Sequence, residues 1–187
     1  APALAGGHSN SALMRIIRGS HRGKILRAPS HLPVRPTTDM AKEGLFNILE
    51  NRIQWEDVRA LDLFAGTGNL SYELSSRGCP DVTAVDSFRD CTRFISKTAA
   101  QMAFPIRAVS EEALRFLQRN PSKWDLILAD PPYDFDAYAS LVDACIVRLA
   151  PDGLLVLEHG AETDLSSHPQ WAQVRRYGSV HFSFFEA

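Results

Sequence analysis

The sequence predicts an α/β fold: a mostly parallel sheet with helices on both faces, preceded by a β-hairpin. Three observations lead there. From Val58 onward, short apolar runs alternate with helical stretches of about 10–15 residues, the pattern of strands joined by crossover helices. Glycines or prolines close most of the apolar runs, at Gly66, at Pro131 and after His159. Ahead of this region, two short apolar-basic runs, "MRIIRG" and "GKILRAP", are separated by "SHR" and bounded by Gly19 and Gly23, which reads as a hairpin.

Taken in order, the elements follow from spacing and punctuation. "RPTTDMAKEGLFNILENRI" opens a helix with Thr38 or Asp39 as N-cap, because Ala41, Leu45, Ile48, Leu49 and Ile53 recur at helical intervals. "VRALDLFAG" is a buried strand, and "NLSYELSSRG" is a helix stopped by Gly78. "DVTAVDS" is the next strand, followed by a helix through about Gln101. "IRAVS" leads into the helix "EEALRFLQRN". "WDLILAD" leads through Pro131 and Pro132 into the helix "AYASLVDACIVRLA". "GLLVLEH" is a further strand, and "AQVRRYGSVHFSFFE" reads as two strands joined at Tyr177-Gly178, with the aromatic end mostly core. Neither internal repeats nor low-complexity tracts occur.

A chain of 187 residues suits one catalytic domain and can bury about 70% of its unfolded surface. Residues 1–13, "APALAGGHSNSAL", read as a flexible leader or expression remnant with Met14 as a native start. Residues 14–35 form the arm, and 36–187 the catalytic body. The three cysteines, Cys79, Cys91 and Cys145, lack a CxxC pair, so neither a disulfide framework nor a zinc site is expected and a reducing cytoplasm is. No apolar run approaches the roughly 18 residues of a membrane span. The net charge of −2 hides an asymmetry: Arg15, Arg18, Arg22, Lys24, Arg27 and Arg35 give residues 1–38 a charge of +6 with no acid, leaving −8 for the rest. A basic arm on an acidic body suits a polyanionic partner.

In folds of this class, ligands bind beyond the carboxyl ends of the strands, and the chemistry-bearing residues fall there. The loop Phe64-Ala65-Gly66-Thr67-Gly68 follows the first long strand, where glycines let the backbone turn sharply and pass close to a ligand. Ser71 replaces the third glycine of a nicotinamide fingerprint, so NAD is a poor fit. Asp62 lies inside that apolar strand, where a carboxylate costs several kcal/mol unless something pairs with it. A cationic ligand group is one candidate, and the loop's own amides are another. Asp86, closing "VTAVD" beside Ser87, is positioned for ribose hydroxyls, though an acid there also suits a helix cap. Glu112 could reach an adenine edge, or serve the helix dipole.

A nucleoside with a cationic amine and no phosphate grip describes S-adenosylmethionine better than NAD. The fourth strand end, "LADPPYDFD", supports this. Asp130 and the carbonyl of Pro131 can accept the two hydrogens of an exocyclic amine, with Pro132 stiffening the turn. Held so, the amine lone pair turns out of the base plane toward an electrophile. Tyr133 offers a ring for stacking, worth about 1–3 kcal/mol per base, and the base must be flipped out or unpaired.

With these motifs in hand, "LDLFAGTGNLS" and "DPPY" resemble class I S-adenosylmethionine-dependent methyltransferases acting on exocyclic amines. "MRIIRGSHRGKILRAP", "RPTTDMAKEGLFNIL" and "YGSVHFSFFE" make the chain similar to the RsmD family of bacterial small-subunit ribosomal RNA guanine methyltransferases, from Met14 to Glu186. The resemblance implies a seven-stranded sheet with one antiparallel strand near the end. It implies a Rossmann-like class I methyltransferase whose glycine loop, Asp62 and Asp86 hold the cofactor while Asp130, Pro131 and Tyr133 hold the guanine. The implied partner is small-subunit ribosomal RNA or an assembling small subunit, bound through the arm; neither metal nor membrane is implied, and nothing demands more than a monomer. The chain departs from the family pattern in three places. Arg18 stands in place of a second glycine, Ser110-Glu111-Glu112 alters the pattern after the third strand, and Lys42 replaces an arginine, losing the planar fork for a bidentate phosphate contact. Two other readings share these residues: a DNA adenine methyltransferase, and a non-catalytic RNA-binding assembly factor that keeps the nucleoside pocket.

Overall fold

A computed structural model describes residues 12–34 and 36–187; the expected leader up to residue 11, and Arg35, lie outside them. Two three-residue strands, β1 (Leu13–Arg15) and β2 (Ile25–Arg27), pair antiparallel, with Met14 opposite Leu26. The ladder is shorter than the runs "MRIIRG" and "GKILRAP" suggest. After the Ile16–Lys24 bond, the amides of Ile17 and Arg18 leave it to donate to the Glu73 carboxylate at 2.9 and 3.1 Å.

The body continues with α1 (Asp39–Glu50), β3 (Arg59–Leu63), α2 (Asn69–Ser76), β4 (Asp81–Asp86), α3 (Arg89–Met102), β5 (Ile106–Ser110), α4 (Ala113–Arg119), β6 (Trp124–Ala129), α5 (Tyr138–Val147), β7 (Leu149–His159), β8 (Trp171–Tyr177) and β9 (Val180–Glu186). Thr38 caps α1, its hydroxyl accepting from Ala41 N, as expected of the "TTD" start. The second sheet has seven strands in the order β5-β4-β3-β6-β7-β9-β8. All neighbours pair in parallel except β9, which runs antiparallel to both β7 and β8. This is the expected class I architecture. The crossovers run outward from β3 to β5 and then return to β6, so the chain changes direction between β3 and β6, where open α/β sheets form their crevice.

The helix "AYASLVDACIVRLA" ends three residues earlier than its pattern suggests. Leu149 already pairs with Trp124 across an irregular start of β7, and the Arg148 guanidinium donates to Leu117 O at 2.9 Å, so sheet pairing takes these residues from the helix. Leu45, Phe46 and Leu49 of α1 and Leu70 and Leu74 of α2 pack on one side of the sheet, and Phe116, Leu117, Leu141 and Val142 of α4 and α5 on the other. In β9, Phe182, Phe184 and Phe185 are all buried, consistent with a core strand.

The arm is clamped to the body. Met14, Ile16 and Ala28 pack with Tyr72, Ala99, Met102 and Phe104. The Lys42 amine, fully buried, donates to Arg15 O at 2.6 Å and to Asn69 Oδ1 at 2.8 Å and faces Glu73 at 3.7 Å. Arg77 closes the group, its Nε donating to Glu73 Oε1 at 2.9 Å. A buried carboxylate is tolerable only with such partners. Lys42 therefore holds the arm and α2 together, and no phosphate contact is open to it. Gly19 completes the seat: its φ is +91° and a Cβ there would lie 1.8 Å from Ser76 O.

Candidate active site

At the carboxyl ends of β3, β4 and β6 lies a cleft of about 1210 Å³. Asp62, Phe64, Ala65, Gly66, Thr67, Asp86 and Ser87 line it together with Asp130, Pro131, Pro132 and Tyr133. The two groups of residues picked out in the sequence, more than 40 positions apart, thus open into one space.

The glycine loop is held by its neighbours. Ala65 N donates to Val85 O at 2.9 Å and Gly66 N to Asp86 Oδ2 at 2.9 Å. Phe64 takes a positive φ of +57°, an uncommon conformation for a bulky residue and one that collects at functional sites; its ring meets Phe135 edge-on at 5.6 Å. Gly68 precedes α2 at φ +93°, and a Cβ there would lie 2.6 Å from the Tyr72 ring. Only glycine combines this φ with the close approach of the Tyr72 ring from its own helix and of Ile95 from α3.

Asp86 is half-buried. Its second oxygen accepts from Phe88 N at 2.8 Å, so each oxygen has one amide partner and keeps a lone pair for a ligand hydroxyl. Fastening of the glycine loop, one alternative for Asp62, is thus performed by Asp86. The cap of α3 falls at Phe88 without a side-chain bond into the helix; Asp86 reaches only the amide of the cap residue itself.

Asp62 is 1% exposed. Its Oδ2 accepts from Ser71 Oγ at 2.6 Å, the residue that replaces the third glycine of the nicotinamide pattern. Burial, partly offset by the Ser71 bond, pushes its carboxyl up to about 7. No cation pairs with it among the described residues, so a cationic group in the cleft fits the chemistry of this site.

On β6, Asp130 N donates to Leu63 O at 3.3 Å, fixing the strand end beside the loop. Asp130 is half-buried; burial, and then Glu158, push its carboxyl well above the ordinary range. Pro131 is buried, Pro132 exposed, and Tyr133 is 94% exposed, a ring free to stack on an incoming base. Phe88, also exposed, borders the same cleft.

Glu112 lies elsewhere. Its two carboxylate oxygens accept from Leu114 N and Arg115 N at 3.0 and 2.9 Å, and it does not line the cleft. Serving its own helix, the alternative to the adenine contact, accounts for it, as the N-cap of α4. On the arm, Arg15, Arg18, Arg22, Lys24 and Arg27 are all exposed; Arg15 pairs with Asp39 at 2.9 Å. The sixth candidate, Arg35, lies outside the described residues.

Sequence reasoning missed Glu158, Thr37 and Asn69. Glu158 on β7 lies against Asp130 and accepts from Thr37 Oγ1 at 3.0 Å. Thr37 O in turn accepts from Asn69 Nδ2 at 3.2 Å. The signal for Glu158 was present in "LLVLEHG", a carboxylate inside an apolar strand, the same feature that singled out Asp62.

Sheet order, glycine loop and cleft together define a class I methyltransferase fold of the S-adenosylmethionine-dependent type. Among solved structures, a hypothetical protein of Thermus thermophilus matches with a TM-score of 0.81 at 26% identity, over 93% of this chain and 99% of that one. Escherichia coli yhhF matches with a TM-score of 0.79 at 28% identity, over 94% and 98%. The family described as Conserved hypothetical protein 95 matches residues 14–186. The ribosomal RNA small subunit methyltransferase D of Escherichia coli K12 is 32% identical over 185 residues, covering 96% of this chain and 92% of that protein. The chain belongs to the RsmD family.

Proposed function

We propose that the protein transfers a methyl group from S-adenosylmethionine to the exocyclic amine of a guanine in small-subunit ribosomal RNA, acting in the cytoplasm on RNA or an assembling subunit. The observation that carries this reading is that Asp130 and Pro131, a pair of acceptors suited to an amine, share one cleft with Asp62, Asp86 and the glycine loop. Family membership supports ribosomal RNA as the substrate.

The bound cofactor supplies a methyl group activated on a positively charged sulfur. Toward it, Asp62 contributes a buried carboxyl, and its ionised form is stabilised by positive charge. Asp86 offers its free lone pairs to ribose hydroxyls, while Phe64, Ala65, Gly66, Thr67, Gly68 and Ser87 shape the wall. Glu112 caps α4 and stands outside the residues that line the cleft, so the adenine contact is not assigned to it. Asp130 and the Pro131 carbonyl accept the two amine hydrogens, so the nitrogen lone pair points out of the base plane. Pro132 limits the backbone freedom of the turn, and Tyr133 stacks on the flipped base. In residues 14–35, the exposed Arg15, Arg18, Arg22, Lys24 and Arg27, with Arg35 beyond them, hold the phosphate backbone and position it without reading sequence; residues 36–187 form the catalytic body.

Purified protein incubated with methyl-labelled cofactor and small-subunit RNA or subunits is expected to place label in methylguanosine. Label recovered only in adenine of DNA would replace the RNA reading with a DNA one. Cofactor binding without transfer to any nucleic acid would leave an assembly factor.

A further inference from the structure

Asp130 accepts one amine hydrogen in the reading above, on which this inference rests, and its surroundings restrict how it does so. Its carboxyl lies against that of Glu158, one residue on from the pair that Ala129 makes with Leu157 across the adjacent strands. Two ionised carboxylates have no donor between them, so a hydrogen bond across this contact requires one of the two to carry a proton. Glu158 is the better anion. Thr37 Oγ1 donates to its Oε2 at 3.0 Å, whereas no side-chain donor other than the shared proton reaches Asp130 among the described residues. Asp130 also faces the negative charge of Asp62 as well as that of Glu158.

We propose that Asp130 works as a neutral carboxylic acid that donates its proton to Glu158, leaving one fixed carbonyl-type oxygen for the target amine, with Glu158 as its positioning residue. Glu158 does not line the cleft. It borders a small void behind it, with Leu128 and Phe182, and reaches the amine only through Asp130. The support continues outward: Thr37 O accepts from Asn69 Nδ2 and Asn69 Oδ1 accepts from the Lys42 amine that also holds Arg15 O. The orientation of Asp130 is thereby tied to the seat of the arm.

The titratable groups facing the pair are Asp62 from β3 and Tyr138 from α5. Burial raises both carboxyls of the pair; Glu158 and Asp62 push that of Asp130 further up, while the Thr37 and Asp130 bonds hold that of Glu158 back, so the shared proton persists above the ordinary carboxylate range and is lost as pH rises. Wild-type turnover is expected to fall on that limb. Asp130→Asn keeps one carbonyl oxygen and a donor to Glu158. It is expected to retain at least about tenfold more turnover than Asp130→Ala, with the high-pH fall removed. In Glu158→Gln the amide donates to Asp130 and favours its ionised form, so the fall should move toward acid by about one pH unit or more. Independently of catalysis, infrared titration of the free protein should show, at pH above the titration of Asp62, a protonated-carboxyl band that is lost in Asp130→Asn and shifted in Glu158→Gln. The proposal is overturned if Asp130→Asn is as inactive as Asp130→Ala while still binding cofactor, or if Glu158→Gln keeps the wild-type pH profile. Wild-type protein that methylates no RNA would remove the preceding reading instead, and the infrared band would still decide whether the proton is shared.

Discussion

Asp62→Asn should stabilise the free protein while weakening its grip on the cofactor. The carboxyl is raised from 3.8 to about 7 by burial, and at about 1.4 kcal/mol per pH unit this corresponds to roughly 4 kcal/mol of stability missing at pH 8. The sign follows from the direction of the shift. A carboxyl with a raised folded value contributes fully below its unfolded value near 3.8, and the contribution is lost as pH rises through about 7. Asparagine keeps the volume, and its oxygen can still accept from Ser71 Oγ, but it does not titrate. The stability difference between variant and wild type should therefore grow by about 2–3 kcal/mol between pH 5 and pH 8. For a chain of this size that is a widening of about 5–10 °C in Tm, measured by thermal unfolding of both proteins without cofactor. Calorimetry at pH 8 should show cofactor affinity reduced by about tenfold or more, since the buried negative charge is gone. A Tm difference that stays constant from pH 5 to pH 8 would refute the reasoning, because Asp62 would then not be the group that titrates.

Asp130→Ala should leave cofactor affinity near wild type by calorimetry and lower turnover by about 100-fold or more; equal loss of both would make Asp130 a structural residue. Glu73→Gln leaves Lys42 and Arg77 short of their buried counter-charge and should cost about 3–5 kcal/mol. Its readout is a lower Tm together with faster tryptic cleavage at Arg18, Arg22 or Lys24, and unchanged cleavage would mean that the arm is seated by its apolar contacts alone. Gly19→Ala meets Ser76 O and an unfavourable φ; a loss of about 1–3 kcal/mol is expected in chemical denaturation. Replacing Arg22 and Lys24 together by alanine should weaken RNA binding for all sequences alike and flatten its salt dependence by up to about two phosphate contacts, with cofactor affinity unaffected.

Much of this was written locally in the sequence. The order of strands and helices follows from alternating apolar runs and glycine stops, and Thr38 marks the start of α1 in the chemistry of its hydroxyl. Asp62 stood out as a carboxylate in an apolar strand, and the strand-end positions of Asp86 and Asp130 followed from the parallel sheet. What stayed hidden depends on contacts between distant segments. The pair Glu73 and Arg77 has helical spacing in the sequence, but only the docked arm buries it. Lys42 looked like a surface cation until Arg15 O, Asn69 and Glu73 enclosed it. Glu112 had two physically sound uses, and the nearby amides of its own helix took it. Glu158 becomes visible only once β7 lies beside β6 and brings it against Asp130.

Comparison of ribosomal RNA from cells with and without the gene tests the central claim most directly. Deletion is expected to remove one guanine exocyclic-amine methyl group from small-subunit RNA, which the wild-type gene restores and the Asp130→Ala gene does not. An unchanged set of methylguanosines, or restoration by the Asp130→Ala gene, would contradict it.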